Sequence, residues 1–323
     1  MKNYFLLILS LFFTGIISGC HSVKSDNPYP VNFSIFESYH QIHVLADGEI
    51  FTSYLYDSAL LKPVLFPVYS PSGVRVSRLY PLETVEGESH DHPHHVGMFF
   101  TYGSDGEVNG NSFWALQEPP TRIKHVKVTK EEAGAGQATL GTESDWIGKD
   151  NKVLLVEDRT MIFTGSDSER AIDFTFNLKA QDQDVVFKDT KEGMFAIRVA
   201  QWLNEDTGNA MYLNAEGDTT EANIWGKQSK WVRLEGTHDG KVIGIVIFNH
   251  PKSVNFPTYW HARAYGLFAA NPLGRHLAQR VGSQQFHRLV GRKADHFFHP
   301  LQHPLFTHNH PHFSGVRRGR RIQ

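Results

Sequence analysis

The sequence predicts an all-β protein, an antiparallel β-sandwich, and three observations predict it. Short segments with period-two character recur at close spacing, turn-rich pieces rich in Gly, Ser and Asp divide them, and no long helical periodicity follows the first twenty residues. Composition agrees: 12% aromatic residues with 27 Gly and 15 Pro suit strands joined by tight turns. An apolar fraction of 40% against 20% charged residues excludes a disordered chain, and a single Cys in 323 residues excludes a disulfide framework or a Cys-based zinc ribbon.

From the N-terminus, residues 1–19 read as a lipoprotein signal peptide. Met1-Lys2 gives a positive start, and the apolar run Tyr4 to Ile17 is too short to span a bilayer. Ile17-Ser18-Gly19-Cys20 looks like a lipobox, so Cys20 is the expected lipidation site and residues 20–32 a polar tether. The expected location is the cell envelope, at the periplasmic or outer surface of a membrane and most naturally the outer one, held there by the lipid.

Residues 33–274 form the expected β domain. Its strand-like segments lie around Val74-Arg75-Val76 and over Lys152 to Phe163, Ala171 to Leu178, Asp184 to Lys188, Phe195 to Trp202 and Lys241 to Phe248. Turns are expected at Gly103-Ser104-Asp105-Gly106, Gly165-Ser166-Asp167 and His238-Asp239-Gly240. Composition breaks after Gly274. Residues 275–323 carry a net charge of +8 and eight of the 19 His, whereas the preceding residues carry −10. A reading-frame slip explains such a break better than a working basic tail, and the acidic body argues against a nucleic-acid partner.

Chemistry is densest at Ser89-His90-Asp91-His92-Pro93-His94-His95. On a strand, His90, His92 and His94 would share one face about 6–7 Å apart. That spacing suits a divalent metal, with at least one further ligand from elsewhere, or an acid and a base around a substrate. Pro93 would put this strand at an edge or end it. Asn109-Gly110-Asn111 signals a turn, and Trp114 after it offers a flat apolar face for a sugar ring; a turn followed by a core aromatic fits the same residues. Glu192 suits a metal ligand or base and Arg198 a carboxylate clamp, and a structural ion pair fits them equally. Farther on, alternation would align His261, Arg263 and Tyr265, a base, a fixed cation and a phenol, beside Trp260. The alternative there is a polar sheet face with a stacked Arg.

Together these residues resemble the PmoA family of bacterial proteins. The resemblance is carried by His90-Asp91-His92-Pro93-His94-His95, Asn109-Gly110, Phe113-Trp114, Asp189-Thr190-Lys191-Glu192-Gly193, Trp225-Gly226-Lys227 with Trp231, Gly244 to Pro251, Trp260 to Gly266 and Asn271-Pro272-Leu273-Gly274. It covers about residues 35 to 274 and implies a β-sandwich similar to the mutarotase-like supersandwich, found among carbohydrate-use genes. The expected function is then a lipid-anchored lyase or dehydratase on uronic-acid-containing oligosaccharides. His92, His95, His261 or Tyr265 would exchange the proton, and Arg263 or Arg198 would stabilise the charge beside the carboxylate, with Trp114, Asn111, Trp260 and Glu192 around the sugar. The alternatives are a non-catalytic glycan-binding lipoprotein and a sugar epimerase. No pair of carboxylates stands out for glycoside hydrolysis.

Overall fold

A computed structural model describes residues 30–274 and 279–281. The signal peptide, Cys20 and most of the basic tail lie outside the described residues. Within them the chain forms β1 (Phe33–Ser38), β2 (Gln41–Ala46), β3 (Glu49–Leu55), β4 (Val64–Val68), β5 (Met98–Tyr102), β6 (Arg122–Gly134), β7 (Gln137–Ile147), β8 (Val153–Gly165), β9 (Arg170–Ala180), β10 (Val185–Phe187), β11 (Gly193–Arg198), β12 (Met211–Asn214), β13 (Gln228–Ser229), β14 (Trp231–His238), β15 (Lys241–Phe248), β16 (Thr258–Ala262), β17 (Leu267–Asn271) and β18 (Gln279–Val281). One helical turn, α1 (Glu221–Ile224), and a 3-10 turn at Gln201–Leu203 are the helical elements among the described residues. None of these is long and apolar enough to cross a membrane.

All pairings between the strands are antiparallel. Nine strands build one sheet in the order β1-β2-β3-β4-β5-β11-β17-β16-β13, and β6-β7-β8-β9 build a second. These two sheets meet through aromatic rings: Phe100 of the first stacks on Phe176 of the second at 3.8 Å, and Phe51 meets Phe163 edge-on at 6.0 Å. Trp146, Phe174 and Phe195 fill the same layer, so the expected antiparallel β-sandwich is what forms. A three-stranded sheet, β12-β14-β15, extends this core through Tyr212, Val232 and Leu234.

Local chemistry sets the hairpins. Asp47-Gly48 and Asp239-Gly240 are two-residue connections with positive φ at both positions, as the tight turn between twisted strands requires. The sequence-expected strands over Lys152–Phe163, Ala171–Leu178, Asp184–Lys188 and Lys241–Phe248 correspond to β8, β9, β10 and β15. Two expectations need correction. Val74–Val76 is not a strand; isolated bridges pair Arg75 with Tyr69 and Ser77 with Val199. The segment Phe195–Trp202 stops being a strand at Arg198, and Gln201–Leu203 turns helically. Strand β18 pairs with β10, so sheet structure continues past the composition break at Gly274.

The outer face of the nine-stranded sheet, away from the sandwich core, carries a smaller core of its own. Val64, Phe66, Phe99, Ala196, Leu267 and Ala269 of the strands pack there under Leu79, Val96 and Trp114. Across this face His261, Ala269, Ala196 and Phe99 are register partners in one row. The two alanines leave room above the sheet for rings supplied by the covering loops.

Candidate active site

The covering loop runs from Ser77 to Gly97, and both ends are tied to the backbone of one residue. The Arg78 amide donates to the Arg198 carbonyl, and the Arg198 amide donates to the Gly97 carbonyl, each at 2.9 Å. Gly97 is obligatory because its φ is +53° and a Cβ would sit 2.3 Å from the Leu65 carbonyl oxygen. Inside the loop the Arg78 guanidinium collects backbone carbonyls of Asp91 at 2.8 Å, His92 at 2.9 Å and His95 at 3.3 Å. The histidine run is therefore wound around a buried arginine, and the left-handed φ of +43° at His92 ends any strand alternation.

Asp91 is the electrostatic centre. Its Oδ1 accepts from Arg78 Nη1 and Arg198 Nη2, each at 2.6 Å, and from the Ser89 hydroxyl at 2.8 Å. Its Oδ2 lies 2.6 Å from His92 Nδ1. Partial burial would raise the carboxyl, but the bonds to His92 and Ser89 and the charge of Arg198 outweigh it and hold it below the usual carboxylate range. Arg78 and Arg198 are almost wholly buried, so two cations share one carboxylate and the floor of the site keeps one net positive charge.

Three rings lie parallel above this floor. His92 is 4.9 Å from His95 at 3° and 4.9 Å from Tyr265 at 1°. The Trp114 indole N–H donates to His95 Nε2 at 3.1 Å, and burial, reinforced by the charges of His94 and Arg198, keeps the His95 imidazole neutral. Beneath them Lys62 is buried over the Phe99 ring and donates to the carbonyls of Trp114 and His94. Burial brings its ammonium down to about 7.

The opposite wall comes from the β16–β17 hairpin and from α1. His261 on β16 is buried, with Nδ1 3.5 Å from Glu192 Oε2, a distance too long for a strong hydrogen bond. Burial, then the charges of Arg263 and Lys191, lower this imidazole to about 3, and burial raises the Glu192 carboxyl. Arg263 donates through Nε to Glu221 Oε1 at 2.6 Å, and Glu221 Oε2 accepts the Ala264 amide, which fixes the hairpin turn against α1. The guanidinium lies 4.1 Å from the Trp225 ring centre and 5.4 Å from that of Tyr265. Trp225 is 42% exposed, the one site tryptophan with a ring open to solvent. Burial raises the Tyr265 phenol to about 12 despite Arg263 and Arg198, so it is a proton donor at neutral pH.

These positions divide the sequence-expected residues. His92, His261, Arg263, Tyr265 and Glu192 come together. His95 is buried behind His92 and acts on the ring stack rather than on a ligand, and Arg198 is buried under Tyr265 with Asp91 already in its grip. Trp114 is a core residue whose N–H is spent on His95, and Trp260 faces the sandwich core with its N–H on the Ser229 carbonyl. Asn111 is buried in its turn, bonded to the carbonyls of Val108 and Asn109 and to the Lys149 amide. His90 stacks on Tyr80 at 4.7 Å, and His92 Nδ1 is taken by Asp91, so His90, His92 and His94 do not converge as metal ligands. Among the described residues no group of three or more His, Cys, Asp or Glu could hold a metal ion. Sequence reasoning missed Arg78, Asp91, Lys62, Glu221 and Trp225 as site residues. Trp225-Gly226-Lys227 entered only among the residues of the family resemblance, and nothing in its pattern distinguished that tryptophan from the buried ones.

A separate open cleft of about 910 Å³ lies over β2–β4, lined by Gln41, His43, Ser53, Tyr69 and Glu83. Its histidine has both ring nitrogens engaged, by Ser38 and Ser53. The reactive groups are on the other half of the sheet.

One buried and one half-buried imidazole set a pH dependence. Burial and the charges of Lys62 and His92 lower His94 to about 4, and His261 lies near 3. In the unfolded chain both would take a proton near pH 6.5. Their neutral folded forms therefore contribute stability above pH 6.5 that is lost as the pH falls towards 4 and 3. The unfolding free energy from urea titrations is expected to fall steadily between pH 6.5 and 4.5, with a slope approaching about 1.4 kcal/mol per unit for each imidazole and a matching fall of the midpoint. A midpoint unchanged over that range would show that these rings are hydrated and protonated in the fold.

A family model described as a family of unknown function, DUF6807, matches residues 41–296, which is most of the chain and extends beyond Gly274. The matching model does not carry the PmoA name. No curated protein and no solved structure matches the sequence.

Proposed function

The chain belongs to this family of unknown function, DUF6807, and from its site geometry we propose that it is a carbohydrate-active lyase of the dehydratase type acting on uronic-acid-containing oligosaccharides. The observation that carries the reading is the meeting of Arg263, Trp225, Tyr265 and His92 over a floor with one net positive charge. Trp225 supplies a flat face for the C–H side of a sugar ring. Arg263 engages Glu221 through Nε, which leaves both Nη groups for a carboxylate. His92 Nε2 takes the proton from the carbon beside that carboxylate, and the electron pair moves into the carboxylate as an enolate. Arg263 and the cationic floor stabilise the added charge. The pair then forms a carbon–carbon double bond as the hydroxyl on the neighbouring carbon leaves, taking a proton from Tyr265 to depart as water. His261, neutral beside Glu192, is a third group able to exchange a proton in the site.

The resemblance to the PmoA family supports a carbohydrate setting, and the lipobox at Cys20 supports a lipid-anchored protein at the cell envelope. An epimerase would share the proton abstraction and differ by returning the proton to the opposite face. The exposed ring of Trp225 would equally serve a glycan-binding lipoprotein. Mass spectrometry of saturated and unsaturated uronyl oligosaccharides incubated with the protein separates these. A time-dependent loss of one water is expected; unchanged masses across the panel, from folded protein, would overturn the dehydratase reading in favour of epimerisation or binding.

A further inference from the structure

We propose that Asp91 is a positioning residue that holds His92 as the Nδ1–H tautomer and thereby presents Nε2 as the base. The inference rests on the reading of His92 as the proton acceptor and adds what makes it one. Asp91 Oδ2 is 2.6 Å from His92 Nδ1. The carboxylate itself has no freedom to turn away, because Oδ1 is held by two buried guanidinium groups and the Ser89 hydroxyl. An ionised carboxylate can only accept, so the bridging proton belongs to the imidazole. Such a pairing fixes the tautomer and stabilises the imidazolium formed when Nε2 takes a proton.

The ring plane is fixed independently. His95 and Tyr265 lie parallel to His92 on the stack, and the His94 ring meets it edge-on at 5.8 Å. The other charged or titratable groups acting on His92 are Arg78 and Arg198 through Asp91, with Glu192 and His261 on the opposite wall. His95 gives its Nε2 to the Trp114 N–H, which keeps it from presenting a second positive charge to the protonated His92. Arg78 and Arg198 have only this carboxylate among their ion pairs, so the loop, the two arginines and the histidine form one unit.

Two-bond ¹H–¹⁵N correlation spectra of the full chain test this, with the His92 signals assigned from a His92→Asn variant. The wild-type protein is expected to show a protonated Nδ1 and an unprotonated Nε2 at pH 8. In Asp91→Asn the amide can donate to Nδ1, so the proton should move to Nε2. Turnover of uronyl oligosaccharides should then fall by roughly 10²-fold or more. Ser89→Ala, which trims the Asp91 cage without touching the His92 bond, should keep the wild-type tautomer. A wild-type His92 protonated on Nε2, or an Asp91→Asn protein that keeps Nδ1–H, would overturn the proposal; the wild-type spectrum decides even where Asp91→Asn does not fold. Nδ1–H in a protein that turns over no uronyl substrate would support the positioning role and overturn only the reaction assigned to the site.

Discussion

Replacing Glu157 by Ala is expected to cost about 3–5 kcal/mol of folding stability, read as a lower urea midpoint and a melting temperature reduced by roughly 10 °C. Glu157 on β8 is fully buried in the sandwich. Its Oε1 accepts from Arg159 Nε at 2.8 Å and is ion-paired with Nη2 at 2.7 Å, and its Oε2 accepts the Trp146 indole N–H at 2.8 Å. Residues 157 and 159 point to the same side of the strand, so both charges enter the core together. The guanidinium lies over Tyr54 at 5.9 Å and Phe176 at 5.1 Å from the ring centres. Removing only the carboxylate leaves that cation in an apolar layer with no counter-charge, and leaves the Trp146 N–H unpaired. The pair itself is a different matter, because its Coulomb gain is set against the desolvation of both ions. The double replacement Glu157→Leu with Arg159→Met should therefore recover most of the loss. A single-variant cost below about 1 kcal/mol would mean that water reaches the guanidinium, contrary to its burial.

The legible parts of the fold were those in which one strand carries its own pattern. Lys241–Phe248 matches β15 end to end because it is an apolar run closed by the Asp239-Gly240 turn. Strand β6 escaped because most of its residues are exposed and two register shifts interrupt its pairing, so no strict alternation survives. At the site, the density of histidines was legible but their directions were not. Alternation assigns faces only along extended backbone, and His92 has a left-handed φ. The groups that organise the loop, Arg78 and Arg198, come from positions more than a hundred residues apart, and no local pattern connects them. Tryptophans posed the same problem in another form. Trp114, Trp260 and Trp225 look alike in sequence, yet two find partners for their N–H inside the fold and only Trp225 keeps its ring in solvent. Burial is a property of the assembled sheet, and a single sequence does not state it.

Replacing His92 by Ala is expected to lower kcat on uronyl oligosaccharides by on the order of 10²–10⁴-fold, with affinity for the sugar within about threefold of wild type. Arg263 is held by Glu221 and stacked on Trp225, and Glu221 also binds the Ala264 amide, so the carboxylate and ring contacts are anchored to α1 and the β16–β17 hairpin and not to the histidine loop. Trp225→Ala should show the reverse split, a KM raised roughly 2- to 10-fold with kcat little changed, the size expected for losing one aromatic face. The two variants thus separate chemistry from binding at one site. If His92→Ala raised KM and left kcat alone, the imidazole would be a ligand contact, and the stacked rings would be a recognition surface for glycans. If both variants abolished binding together, the histidine loop and α1 would close on the ligand as one unit. Arg263 and the two buried arginines beneath Tyr265, which neither substitution removes, would then be the features that select an acidic sugar.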